Sequence, residues 1–331
     1  MADVEIITGA GVDLLTAPSW DTFAASEGTA FHTSRFLLPW WRDRLAKNPT
    51  SSLIAAEILD SESVIGICAF EFDSGVLSFA GGRDVVDYMG PLALPGREKD
   101  VAAALAEWMF EDLPWTRASF AGLVCDDVMA QAFADELARR TQAVTVETYD
   151  QAPRIGPAPD GYLPLLNSKR RADVLRKRNR LTEAVGELEV IASTGETVLD
   201  SLERLLTWKC DAGPATRDFV AEYRGFLRAA LVELAAVDAG HIVELRASGR
   251  PLAAAIILKH RNTDYIYNMS YDLAFASRDN AGLAPGIVLV SLLVERSLDR
   301  GAVFDFLKGA QDYKLRLGGK PVDLIDITVE R

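Results

Sequence analysis

The sequence predicts an α/β protein of the α+β kind, built as two lobes in tandem. Three observations carry this. The chain has 331 residues, 49% of them apolar, enough for two packed cores of ordinary size. Each half reads as one succession of elements: strand, two helices, three strands, helix, strand, helix or polar turn, strand. A stretch with Pro153, Pro157 and Pro159 separates the halves as a linker would.

In the first half, a strand at residues 4–8 precedes helices at 18–26 and 34–46, the second rich in aromatics (Phe36, Trp40, Trp41). Runs at 52–59, 63–72 and 76–79 have strand composition. Asp60-Ser61 and Asp73-Ser74-Gly75 punctuate them as hairpin turns. A glycine-containing loop at 81–91 leads to a helix (100–110), a strand (118–124), a helix (127–140) and a strand (144–149).

After the prolines, Asn167-Ser168 offers an N-cap for a helix that is almost entirely basic. The second half then gives a strand (188–192), helices (197–210 and 215–236) and strands (241–246, 252–259, 265–271). The turns among the three strands are at 248–251 and 262–264. A helix (286–300), a strand (303–307), a polar turn (311–317) and a last strand (322–329) end the chain. These elements divide the chain into an N-terminal lobe at 1–152, a linker and basic helix at 153–185, and a C-terminal lobe at 186–331. The two halves share architecture and no residue-level repeat.

Charge excludes some functions. The formal net charge is −13, which disfavours nucleic acid and acidic membrane surfaces as partners. Residues 168–180 run against this balance. Lys169, Arg170, Arg171, Arg176, Lys177, Arg178 and Arg180 face Asp173 alone, making the segment +6 and the rest of the chain −19. With one anion among seven cations, internal pairing does little for this helix. It is expected to meet an acidic protein surface, donor phosphates or an anionic acceptor; a solvated charged face is the plainer alternative.

No apolar run approaches the roughly 18 residues of a membrane span. The first residues lack the basic and apolar regions of a signal peptide, and Cys68, Cys125 and Cys210 are too scattered to pair off. A cytoplasmic protein without membrane insertion is the expectation. His32, His241 and His260 form no metal-ligand pattern, so no metal is expected.

Several local patterns, in their order and spacing, resemble one family. They are the aromatic stretch 31–41, the loop at 81–91 with Asp87 and Tyr88, and the basic helix at 168–181. Trp208-Lys209 follows, then Phe304-Asp305-Phe306-Leu307-Lys308-Gly309 with Tyr313-Lys314 behind it. Together they resemble the tandem-domain GNAT acetyltransferase family of the cellulose-biosynthesis (CelD/BcsL) type, distant relatives of the Fem-type aminoacyl transferases. The resemblance spans about residues 30–317. It implies two GNAT-like lobes, each a mixed, mostly antiparallel sheet flanked by helices. It also implies an N-acyltransferase that moves an acyl group from acyl-CoA to an amine, in a small molecule or a cell-envelope or natural-product precursor. The acceptor would be held at the lobe interface.

On that reading the donor's pyrophosphate needs a helix N-terminus with free N–H groups. Gly282, Ala284 and Gly286 supply one, with Arg278 just before them; the alternative is a loop that merely starts a helix. The spacing from Arg278 to Gly282 is one residue longer than the superfamily's usual signature. The corresponding helix of the first lobe opens on Glu98 and Asp100, which repel phosphate, so the donor falls to the second lobe. Tyr271, Lys308 and Lys314 complete the donor-binding set.

Asp305 interrupts an apolar strand, and a carboxylate there needs a task or a partner. It is read as the base, or else as a structural carboxylate satisfied by Lys308 or Lys314. The family resemblance makes Tyr313 the acid that protonates the CoA sulfur, with a packing tyrosine as the alternative. Asp87, Tyr88, Trp208, Lys209 and Arg176 form the expected acceptor side. Two other functions fit the same resemblance: a Fem-type transferase that uses aminoacyl-tRNA, and a non-catalytic binding protein that keeps the fold.

Overall fold

The computed structural model describes residues 4–195, 197–276 and 282–331. Contacts divide the chain into unit 1, Met1–Gln151 with Val322–Arg331, and unit 2, Ala152–Pro321.

Unit 1 contains β1 (Val4–Ala10), α1 (Gly11–Leu15), α2 (Pro18–Glu27) and α3 (Ser34–Lys47), then β2 (Ser52–Asp60), β3 (Ser63–Asp73), β4 (Val76–Phe79) and β5 (Leu92–Ala93). After these come α4 (Glu98–Asp112), β6 (Arg117–Val124), α5 (Val128–Arg140) and β7 (Val144–Gln151). Unit 2 holds β8 (Arg154–Ile155), α6 (Tyr162–Leu165), α7 (Ser168–Val185), β9 (Leu188–Ser193), α8 (Thr197–Asp211) and α9 (Pro214–Ala235). It continues with β10 (Gly240–Ala247), β11 (Arg250–His260), β12 (Thr263–Tyr271), α10 (Pro285–Asp299), β13 (Val303–Asp305) and α11 (Asp312–Arg316). The chain returns to unit 1 as β14 (Asp323–Glu330).

The expected α+β class, two mixed sheets with flanking helices, is the class found. Unit 1 has an eight-stranded sheet in the order β1-β2-β3-β4-β6-β14-β7, with β5 on β3; unit 2 has six strands in the order β8-β13-β12-β11-β10-β9. Each sheet is antiparallel except for one parallel pair, β4 with β6 and β12 with β13. A parallel pair needs a crossover, and α4 and α10 provide it.

Two expectations about the domains need correction. The expected C-terminal lobe, 186–331, includes the last strand, yet β14 pairs with β6 and β7 inside the first sheet. Its apolar alternation, with Leu324, Ile327 and Val329 buried, suits either sheet, and only the register decides. Nor is the stretch after Pro153 a linker. Ile155, Tyr162 and Leu166 are buried in the core of unit 2, and the Tyr162 hydroxyl donates to the Leu317 carbonyl at 3.0 Å. The edge of β13 is covered by β8 instead of a final strand.

The basic helix α7 also belongs to unit 2. Asn167 caps it, accepting from the Arg170 N–H at 2.9 Å. Its apolar anchors are Val174 and Leu181, both buried in the same core as α10. Helix α10 is apolar on nearly every face, as a helix clamped between a sheet and other helices must be. No helix among the described residues is long and apolar enough to cross a membrane.

Candidate active site

The candidate site in unit 2 starts from its parallel pair. The ladder between β12 and β13 has three steps: Thr263 with Val303, Asp264 with Phe304, and Tyr265 with Asp305. Beyond Tyr265, β12 runs on to Tyr271 while β13 ends, so the pair splays and leaves backbone groups of β12 without a ladder partner. A bulge on β12 sits in the same place. Opposite β11 the register jumps from Asn268 to Ile266, stepping over Tyr267.

Helix α10 starts beside this wedge. Its N-cap, Ala284, makes no side-chain cap hydrogen bond, so the first N–H groups of the helix are left to another acceptor. Gly286 is a contact requirement. A Cβ there would lie 3.1 Å from both the Met269 sulfur and Tyr271 Cδ1, so glycine lets the helix start press onto β12. Gly282 has φ +90°, left-handed backbone that glycine adopts freely, and a Cβ on it would point toward an Arg180 guanidinium nitrogen at 3.8 Å. Helix α7 thus brings a cation to the loop before α10. Arg178, two residues earlier, holds the helices together. It donates to Glu295 at 2.8 Å, to the Ser291 hydroxyl at 3.0 Å and to the Ser291 carbonyl at 2.9 Å. Arg180 is exposed and makes no ion pair among the described residues.

The expected site residues are distributed as follows. Gly282, Ala284, Gly286 and Tyr271 come together at the start of α10, whereas Arg278 lies outside the described residues. Tyr313, on α11, is half-buried against the unit 2 core. Its burial pushes the phenol up to about 12, so it keeps its proton at neutral pH. Its hydroxyl has no hydrogen-bond partner among the described residues.

Asp305 and Lys314 both bind the turn that follows β13. Asp305 is 3% exposed, and its Oδ1 accepts the Leu307 N–H at 2.7 Å. Lys314 is 5% exposed, and its Nζ donates to the carbonyls of Leu307 (3.1 Å) and Lys308 (2.7 Å). Both groups thus contact the turn after β13, where Leu307 has φ +59°. Lys308 is half-buried and lends its carbonyl to the same turn.

The expected acceptor residues lie in both units, Trp208, Lys209 and Arg176 in unit 2 and Asp87 and Tyr88 in unit 1. Trp208 and Lys209 are half-buried near the end of α8, which packs on the sheet through residues outside the cluster around α10. The Lys209 ammonium lies 5.3 Å above the Phe219 ring, and burial lowers its pKa. Arg176 is exposed and bound to Asp173, which Lys177 also contacts. Lys177 is the main cause of the lowered Asp173 pKa, with Arg176 contributing.

In unit 1, Asp87 and Tyr88 are buried, with the Tyr88 ring edge-on to Phe31 at 6.2 Å. Their loop does line a cavity of about 200 Å³, but through Gly82, Arg83, Val86 and Met89. The first helix turn of α4 is occupied by its own acids, as expected. Glu98 accepts the Gly96 N–H at 3.1 Å and Asp100 pairs with Arg97 at 2.7 Å.

Sequence reasoning missed the individual role of Arg180, the Tyr267 bulge and the unit 1 cavity. Arg180 was one of seven basic residues, and nothing in the spacing singled it out. Among the described residues, no group of three or more His, Cys, Asp or Glu side chains is placed to hold a metal ion.

Comparison with known proteins agrees with this architecture. Residues 168–315 match the family model of the acetyltransferase (GNAT) domain. Unit 2 therefore carries a GNAT acetyltransferase domain, and acyltransferase is the enzyme class of the chain. No curated protein matches the chain in sequence. Solved structures match it in fold over nearly their whole length. FemX superposes with a TM-score of 0.64 at 11% identity, covering 97% of this chain and 96% of that one. L-PGS from Bacillus licheniformis gives 0.60 at 12%, covering 94% and 91%. A tandem GNAT protein from the clavulanic acid biosynthesis pathway gives 0.50 at 14%, covering 99% and 98%. At these identities the likeness is one of fold.

Proposed function

We propose that this protein is an N-acyltransferase that takes its acyl group from acyl-CoA and gives it to an amine. The observation that carries the reading is the start of α10: uncapped N–H groups, Gly286 against β12, and the Arg180 guanidinium beside Gly282. A pyrophosphate is an acceptor of backbone N–H and guanidinium hydrogen bonds, and the helix dipole favours its charge. The unpaired stretch of β12 then offers peptide N–H and C=O groups to the pantetheine amides of the donor.

In the proposed reaction the deprotonated amine attacks the thioester carbonyl, forming a C–N bond. The C–S bond breaks and CoA leaves as a thiolate. Tyr313, protonated throughout the neutral range, gives the sulfur its proton and is restored from solvent or from the ammonium of the product-forming step. Asp305 and Lys314 act on this scheme only through the turn they shape. The acceptor is an amine of a small molecule or an envelope or natural-product precursor. Within the GNAT proteins we assign the chain to the cellulose-biosynthesis type on its motifs. We also read it as cytoplasmic, with Cys68, Cys125 and Cys210 all unpaired.

Transfer from aminoacyl-tRNA is the second reading. Lys169, Arg170, Arg171 and Arg176, exposed along α7 with Arg180, are the observation in its favour. Thermal melts separate the two. Acetyl-CoA at about 100 times its Kd stabilises the folded chain by about 2.7 kcal/mol. Gly286→Val closes the contact with Met269 and Tyr271 and abolishes that stabilisation. No shift with millimolar CoA, together with a shift on adding tRNA, overturns the acyl-CoA reading.

A further inference from the structure

The surface of unit 2 along α6 and α7 carries charge that the fold itself does not use. Seven cations against Asp173 and Glu183 give α7 a charge of +5. Glu295 of α10 takes up Arg178, and Asp173 is shared by Arg176 and Lys177. Lys169, Arg170, Arg171 and Arg180 are exposed and meet no carboxylate among the described residues. Nor does the helix gain from them. Lys169, Arg170 and Arg171 occupy its first turn, which has no acid, and the helix dipole disfavours cations there.

Aliphatic side chains lie exposed among these cations. Leu165, the last residue of α6, is 44% exposed, and Leu175 is 38% exposed. The Arg171 guanidinium donates to the Leu166 carbonyl at 3.1 Å, which holds its charge at the α6–α7 turn, next to Leu165 in the chain. Helical spacing puts Lys169, Ala172, Leu175, Arg176 and Arg180 on the outer side of α7, away from the buried Val174 and Leu181. Nucleic acid is gripped by aromatic stacking as well as by charge, and the one aromatic residue within 152–187, Tyr162, is 1% exposed. Leucines between cations suit the boundary of a bilayer instead. There the aliphatic chain enters the apolar layer while Lys and Arg stay with the headgroup phosphates.

We propose that the α6–α7 face docks this protein on an anionic phospholipid surface, with its cations on the headgroups and Leu165 and Leu175 just below them. The contact is peripheral, since no helix among the described residues is long and apolar enough to cross a membrane. The chain's net charge of −13 does not prevent it, because charges more than about 8 Å from the bilayer are screened at physiological ionic strength. The face acts whether or not acyl-CoA binds at the start of α10.

The test is co-sedimentation of the full chain, without CoA, with two kinds of vesicle: phosphatidylcholine alone, and phosphatidylcholine with about 30% phosphatidylglycerol. The expected result is binding to the anionic vesicles at least tenfold tighter than to the neutral ones, lost as sodium chloride rises from about 0.1 to about 0.5 M. Each surface cation is worth a factor of about five in affinity, so Lys169→Gln with Arg170→Gln weakens binding about 25-fold. Leu165→Ser with Leu175→Ser keeps every charge and, both residues being exposed, the melting temperature. It still weakens vesicle binding by a factor on the order of ten, which a purely ionic contact does not do. No binding to anionic vesicles, equal binding to both kinds, or parent-like affinity in the Lys169/Arg170 variant overturns the proposal. So does parent-like affinity in the leucine variant, and displacement from the vesicles by tRNA in that case assigns the face to nucleic acid.

Discussion

Asp305 and Lys314 hold Leu307 from its two ends: the carboxylate accepts its N–H at 2.7 Å and the ammonium donates to its carbonyl at 3.1 Å. Leu307 sits at φ +59°, a conformation that a branched side chain adopts at a cost of about 1–3 kcal/mol. Two buried charges therefore over-determine one strained residue. The turn they fix carries the chain from β13 toward α11, the helix that bears Tyr313.

This arrangement predicts how the two residues respond to substitution. Asp305→Asn keeps an oxygen for the Leu307 N–H and is mild, whereas Asp305→Ala leaves that N–H buried and unpaired, costing about 1–3 kcal/mol. Lys314→Met strands the carbonyls of Leu307 and Lys308 and costs a similar amount. Because both residues act on one residue, Leu307, the double variant loses less than the sum, by about 0.5–3 kcal/mol. Urea melts of the four proteins measure this. If Asp305→Asn folds as well as the parent but turns over at least a hundredfold more slowly, and recovers at high pH, Asp305 is the base after all.

Tyr313 separates an acid from a packing residue. Tyr313→Phe keeps the ring against the unit 2 core and removes the hydroxyl alone. Donor affinity is retained while turnover drops by a factor on the order of 100, equally in kcat and kcat/KM. The defect shrinks above about pH 8.5, where the departing thiolate needs little help. A variant that turns over at the parent rate at neutral pH assigns the tyrosine to packing.

The cations of α7 divide sharply. Arg178 is the one that is half-buried and bonded to α10, and Arg178→Met leaves Glu295 and Ser291 without their partner, a loss of about 1–3 kcal/mol. Arg176 is exposed, and Arg176→Met changes stability by less than about 0.5 kcal/mol. Arg180→Met leaves stability unchanged and weakens CoA binding. Parallel melts and CoA titrations distinguish the three, and equal effects on melting from Arg176 and Arg178 would contradict the packing described.

His241 predicts a pH dependence. Burial lowers its pKa from 6.5 to about 4, Lys259 adds to the effect, and its Nδ1 has no hydrogen-bond partner among the described residues. The unfolded chain therefore binds the proton first. Stability is complete above pH 6.5 and is lost as pH falls toward 4. By linkage the loss between pH 7 and pH 5 is about 2 kcal/mol from this residue. His241→Gln removes the titration, so its Tm declines less over that interval; an identical decline would show that other groups dominate.

The sequence by itself determined the element succession, because periodicity, turn residues and caps are local. Asn167 capping α7, the hairpin turns and the apolar run of α10 were all legible, as was the acidic start of α4. The pairing of elements was not. β14 alternates like any half-buried strand, and only tertiary register put it between β6 and β7. The same holds for the sites. Gly282 and Gly286 could be singled out by residue type, since close approach and left-handed backbone favour glycine. That Arg180 is the cation beside them and that Lys314 faces inward to Leu307 both depend on neighbours remote in the chain. Long-range packing decides which of many charged side chains is buried, and no local pattern encodes that choice.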